Sequence, residues 1–173
     1  MSDTPPVSTG RGDDGTTTLL GSGRMGKNDP RIVVLGDVDE ASSFLGLARA
    51  ETEGDLRALL LEMQRLLYRV MGDVAMPRED NAVGEEDLDL VDRALEDWRG
   101  RTEIPNEFVV PGETRPGAIL DVARSVLRRA ERSLVAAGYV EWHPHAFRVV
   151  NRLSDLLFVL ARNADGKGTL SKG

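Results

Sequence analysis

Cysteine is absent from the 173 residues, which excludes disulfides, thiolate metal centres and cysteine nucleophiles and fits a reducing compartment. Histidine is nearly absent. The two that occur flank a proline in "HPH" (143–145) with no third donor nearby, so the tripeptide reads as the first turn of a helix rather than a metal site. Aromatic residues make up only 5% of the chain, and Tyr139 and Trp142 are expected to be packing residues. No apolar run is long enough for a bilayer, and "MSDTPPVSTGRGDDG" at the N-terminus lacks a hydrophobic signal core; a soluble, cytoplasmic protein is expected. Basic charge is in deficit: 22 Lys and Arg against 29 Asp and Glu give a net charge of −7. That argues against a broad nucleic-acid surface and makes any local basic cluster informative. No segment alternates at period two, which excludes a doubly wound sheet.

Helical periodicity is abundant. From residue 37, with Asp37 as N-cap, Val38, Ala41, Leu45 and Ala48 mark a first helix, preceded by a long loop that includes "IVVL". Leu56, Leu59, Leu60, Met63, Leu66, Leu67, Val70, Met71 and Val74 mark a second, stopped by Pro77. Leu88, Val91, Leu95 and Trp98 mark a third, with acids at its start and Gly100 just past its end. The fourth buries Ile119, Val122, Ala123, Val126, Leu127, Ala130 and Leu134 and ends at Gly138. The fifth runs over 144–162 with Phe147, Val150, Leu157 and Leu160 inward; its "LLFVLA" is apolar on most sides and belongs at the centre or at a subunit contact. The fold class expected is all-α: one five-helix bundle over 11–165, with a disordered tail at 1–10 and a flexible tail at 166–173.

Two stretches carry chemistry. "GSGRMGKND" (21–29) comes within one residue of a phosphate-binding P-loop, but Asn28 replaces the Mg²⁺-ligating Ser or Thr, Pro30 follows, and no strand delivers the glycines. Six of the 18 glycines nevertheless fall between Gly10 and Gly26, beside Asp13, Thr16, Thr17, Arg24 and Lys27, and such a segment can turn backbone N–H groups toward one anion. "RGD" at 11–13 is taken as coincidence. The stronger cluster is "ARSVLRRAER", four arginines in an acidic protein; Asp121, Arg124, Arg128 and Glu131 fall on one face, read as opposite the apolar stripe. Such a face is either a solvated ion-pair lattice or a bidentate phosphate contact. Arg148, Asn151, Arg152 and Asp155 repeat the pattern on the fifth helix.

Six segments in order, "GDDGTT" (12–17), "GKNDPR" (26–31), "GDVDE" (36–40), "FVVPG" (108–112), "ARSVLRRAER" (123–132) and "NRLSDLLFVLAR" (151–162), together resemble PduO-type ATP:cob(I)alamin adenosyltransferases. The resemblance implies a ferritin-like bundle assembled as a homotrimer with interfacial active sites. It implies that Gly12, Asp13, Gly15, Thr16, Thr17 and Lys27 surround the triphosphate of ATP and its Mg²⁺, joined by Arg128, Glu131 and Asn151 from the bundle. Asp39 would pair with Arg124 across the interface, and Phe108, with Val110, would stand under the corrin ring. Transfer of the 5′-deoxyadenosyl group to cob(I)alamin, releasing triphosphate, is the implied reaction; Arg128, Phe108, Asp39 and Arg124 are its implied catalytic residues. A flavin-dependent reductase and an adenosylcobalamin-dependent acceptor enzyme are the implied partners. The chain departs from the family in Arg11, Glu113 and Asp121, the last an acid expected to be unfavourable near phosphate. A non-catalytic corrinoid or nucleotide carrier or sensor is the alternative.

Overall fold

Asp29 and Pro30 decide where the bundle begins. In the computed structural model, which describes residues 8–20, 23–76 and 81–172, helix α1 spans Pro30–Ala50, so it starts well before residue 37. Proline at N1 has its φ preset for a helix and lacks only an N–H that would be unpaired there, and the Asp29 carboxylate caps the turn by accepting from Arg31 N at 3.0 Å. "IVVL" is therefore helical, with Val34 fully buried. Asp37 is not a cap: it accepts from Arg129 Nε at 2.8 Å and Ser133 Oγ at 2.6 Å, tying α1 to α4.

The remaining long helices are α2 (Gly54–Ala75), α3 (Glu85–Gly100), α4 (Arg115–Ala136) and α6 (Pro144–Asp165), with a single-turn α5 (Tyr139–Trp142) set off by Gly138 at φ +80°. Pro77, read as the stop of the second helix, lies outside the described residues, as do residues 1–7 of the expected N-terminal tail and Gly21 and Ser22 of the Gly-rich stretch. The bundle is all-α in its core. Helix α6 packs against α4, α3 and α2, and α1 against α4 and α2. Leu153, Leu156, Leu157, Leu160 and Ala161 are fully buried, so "LLFVLA" is central within a single chain.

Four expectations are corrected. Val122 faces outward, 43% exposed, because the inward arc of α4 is already filled by Ala123, Val126, Leu127 and Ala130. Trp142 is exposed rather than packed, whereas Tyr139 is buried, its hydroxyl donating to Val74 O at 3.1 Å. The N-terminal arm is not a plain loop: β1 (Thr16–Thr18) pairs antiparallel with β2 (Arg24–Gly26). The C-terminal segment expected as a flexible tail carries β4 (Thr169–Leu170), paired antiparallel with β3 (Val109–Val110).

Candidate active site

The arm is a small self-bonded unit. Lys27 N donates to Gly15 O at 2.9 Å, and Gly15 turns at φ +78°, a conformation that disfavours any side chain. A Cβ on Gly12 would lie 3.1 Å from Lys27 Nζ, so the ammonium rests against the Gly12 backbone. Lys27 is exposed and forms no ion pair among the described residues, which leaves its charge available. Arg24, grouped with Lys27 from the sequence, is instead consumed within the hairpin: Nη2 reaches Arg11 O at 2.7 Å, the Asp14 carboxylate at 2.9 Å and the Thr16 hydroxyl. The Thr16 side chain and N–H, with Arg24, hold the Asp14 carboxyl below the usual carboxylate range. Asp13 remains exposed beside them.

The arginines of α4 point to three different places. Arg128 is half-exposed, and among the described residues its guanidinium pairs with Glu131 alone, at 3.9 Å; Glu131 in turn accepts from Asn151 Nδ2 of α6 at 2.8 Å. Arg129 turns away to Asp37 and Glu40, which raise its pKa. Arg124 is partly buried and donates through Nε to Asp121 Oδ1 at 3.1 Å. Asp121 is not on a solvated face: it is 5% exposed and also pairs with Arg162, itself 2% exposed. Two guanidinium groups thus offset its charge. Arg162 further bonds Asp165 at 3.0 Å. On α6, Arg148 meets Glu85 at 3.4 Å and Arg152 meets Asp92 at 3.0 Å, both exposed ties to the α3 side of the bundle.

Of the three cavities that border Arg124 among the described residues, two also share Ile104 and Phe158. One, of about 440 Å³, is lined by Arg99, Arg124, Arg128, Asp155 and Phe158 among others. The second, of about 380 Å³, is lined by Phe108, Val109, Pro111, Asp121, Arg124 and Arg162 as well. Phe108 is 88% exposed and Val110 48%, so the ring does not staple its loop to the core. Cationic space on one side and an uncovered ring on the other suit a polyanion beside a flat apolar ligand.

The structure thus gathers Arg128, Glu131 and Asn151, and links Arg124 to the Phe108 loop. The arm residues Gly12, Asp13, Gly15, Thr16, Thr17 and Lys27 form a separate group; among the described residues no hydrogen bond or ion pair joins them to Arg124, Arg128, Glu131 or Asn151. Asp39 is exposed and, among the described residues, without an ion pair; Arg124 takes Asp121 instead. Sequence reasoning missed Arg162 and Asp165. Their signal was an arginine closing an apolar helix, which needs buried acids to accept it.

The bundle thus carries a cavity lined by guanidinium groups next to one bordered by a bare aromatic ring, with an exposed ammonium on the separate arm. The sequence model of the family described as cobalamin adenosyltransferase matches residues 7–164. A cobalamin adenosyltransferase of Cupriavidus metallidurans is 43% identical over 94% of this chain and 91% of its own. A corrinoid adenosyltransferase of Citrobacter freundii is 37% identical over 90% and 93%. Among solved structures, a phenylalanine-to-histidine variant of the PduO-type ATP:corrinoid adenosyltransferase from Lactobacillus reuteri, complexed with cobalamin and ATP, superposes with TM-score 0.87 at 28% identity, covering 97% of both chains. This chain belongs to the cobalamin adenosyltransferase family, enzymes of corrinoid adenosylation.

Proposed function

We propose that the chain transfers the 5′-deoxyadenosyl group of ATP to the cobalt of cob(I)alamin, releasing triphosphate. The observation that carries this reading is the pair of adjoining cavities, cationic beside Arg128 and aromatic beside Phe108, with Arg124 shared between them. Co(I) attacks C5′; the Co–C bond forms as the C5′–O bond breaks, and the leaving triphosphate takes the bonding pair while cobalt is oxidised to Co(III). The metal is the nucleophile, so no side chain needs to be one, as expected of a chain without cysteine.

Arg128 stabilises charge developing on the triphosphate, with Glu131 and Asn151 orienting its guanidinium and the nucleotide. Gly12, Asp13, Gly15, Thr16, Thr17 and Lys27 cradle the phosphates. Mg²⁺ arrives with ATP, and the exposed Asp13 carboxylate and the Thr16 hydroxyl are oxygen donors of the type it takes. Phe108, with Val110, covers the lower face of the corrin and displaces the axial base, which eases reduction of cobalt, a step assigned to a flavin-dependent reductase.

The site is completed by a second subunit of a homotrimer. Within one chain no hydrogen bond or ion pair among the described residues joins the arm to the arginine helix, and Asp39, unpaired among those residues, can meet a neighbour's Arg124, which supports this reading. The product would pass to an adenosylcobalamin-dependent enzyme. Incubation with ATP, Mg²⁺ and chemically reduced cobalamin is expected to yield adenosylcobalamin and triphosphate in equal amounts. Release of orthophosphate alone would identify an ATPase, and binding without turnover a carrier.

A further inference from the structure

Phe108 has an exposed ring on a firmly held backbone. Its carbonyl oxygen accepts from Ser171 N at 2.7 Å and from Ser171 Oγ at 2.8 Å. The next two residues continue as β3 against β4, with Val109 opposite Leu170 and Val110 opposite Thr169. The Thr169 hydroxyl bonds Glu113, and Thr114, where the loop ends, donates through N and Oγ1 to Asp165 Oδ1 at 3.0 and 2.8 Å. Every one of these anchors comes from the end of α6 or from the segment beyond it. Gly168, at φ +64°, makes the turn that brings the segment back onto Val109. Ser171 and Lys172 then line, with Asn106, Glu107 and Phe108, a cavity of about 250 Å³.

A solvent-exposed ring does not hold its own backbone in place, because no core contact fixes it. A loop fixed in advance loses no ordering entropy when the ligand arrives. We propose that Ser171, just past β4, is a positioning residue for Phe108: its two hydrogen bonds set the height of the ring against the corrinoid and so its ability to displace the axial base. This rests on the adenosyl-transfer reading above. Ser171 touches no reacting atom.

Ser171→Pro removes both donors from an exposed site, and a chain ending at Gly168 removes β4 altogether. Wild-type protein is assayed first; failure to make adenosylcobalamin there would defeat the reaction itself, separately from any role of Ser171. Both variants are expected to slow adenosylation of cobalamin by about tenfold or more, while cobinamide, which lacks the lower ligand, stays within about twofold and KM for ATP and the melting temperature hold. In a Phe108→Ala background, Ser171→Pro is expected to do nothing further. Wild-type rates with cobalamin, equal slowing of both corrinoids, losses that add to those of Phe108→Ala, or collapse of thermal stability in both variants would each overturn the proposal.

Discussion

Arg128 is the side chain on which the proposed chemistry leans most, and its surroundings leave it free to act. Half-exposed, and 3.9 Å from the single acid it meets among the described residues, it is little committed, so Arg128→Ala should lower stability by well under about 1 kcal/mol. Loss of a donor to the departing triphosphate should instead lower kcat by about 10²–10³. Arg128→Lys should recover only part, since an ammonium does not reproduce the bidentate fork. Steady-state rates at saturating ATP and corrinoid, beside thermal melts, separate the two effects. Arg129 is no silent neighbour for comparison, because its ties to Asp37 and Glu40 hold α1 to α4. A different residue sets a pH limit. His143 is 4% exposed, stacked on Tyr139 at 5.3 Å, and among the described residues neither ring nitrogen has a hydrogen-bond partner; burial lowers its pKa, with Asp73 opposing in part. A depressed imidazole pKa means the unfolded chain binds the proton more readily. Its contribution is present above about pH 6.5 and declines as pH falls below that toward the lower folded value. Melting temperatures at pH 7.5 and 5.5 should therefore differ more for wild type than for His143→Phe.

At the scale of elements, the helices that bury a full stripe were legible because period 3.6 leaves one apolar residue per turn at each step, as in α2. The start of α1 was not. Proline at N1 removes no hydrogen bond, so Pro30 opens the helix, and its cap is Asp29 rather than the Asp37 that the apolar spacing favours. Strands of two or three residues, such as those of the arm and β4, are too short to show alternation at all. The family motifs single out Arg124, Arg128 and Asn151, but nothing local to Asp121 shows that it is buried, because its partner Arg162 lies on another helix. Close packing of α4 on α6 also turns on one glycine. A Cβ at Gly117 would come within 1.9 Å of Asp165 Oδ1, which is already fixed by Thr114 and Arg162. Gly117→Ala should destabilise the bundle by about 1–3 kcal/mol in a denaturant titration, despite its better helix propensity.

For the whole molecule, the apolar α6 that suggested a subunit contact is covered within its own chain, so the case for a trimer rests on the separation of arm and arginine helix. That separation yields a complementation experiment. Lys27→Ala and Arg128→Ala proteins should each be nearly inactive alone. Mixed, unfolded and refolded together, they should regain activity, because some interfaces then combine an intact arm with an intact arginine helix. No regain would place each complete site inside one subunit. Light scattering should report three chains.

The uncovered ring of Phe108 also has a calorimetric consequence. Water released from an aromatic face as a ligand settles on it leaves a negative heat-capacity change, the most robust signature of apolar burial. Titrations of corrinoid into the protein over a range of temperatures should therefore give binding enthalpies that grow steeply more exothermic on warming. Phe108→Ala should flatten that slope, so the ring would be registered by heat as well as by rate.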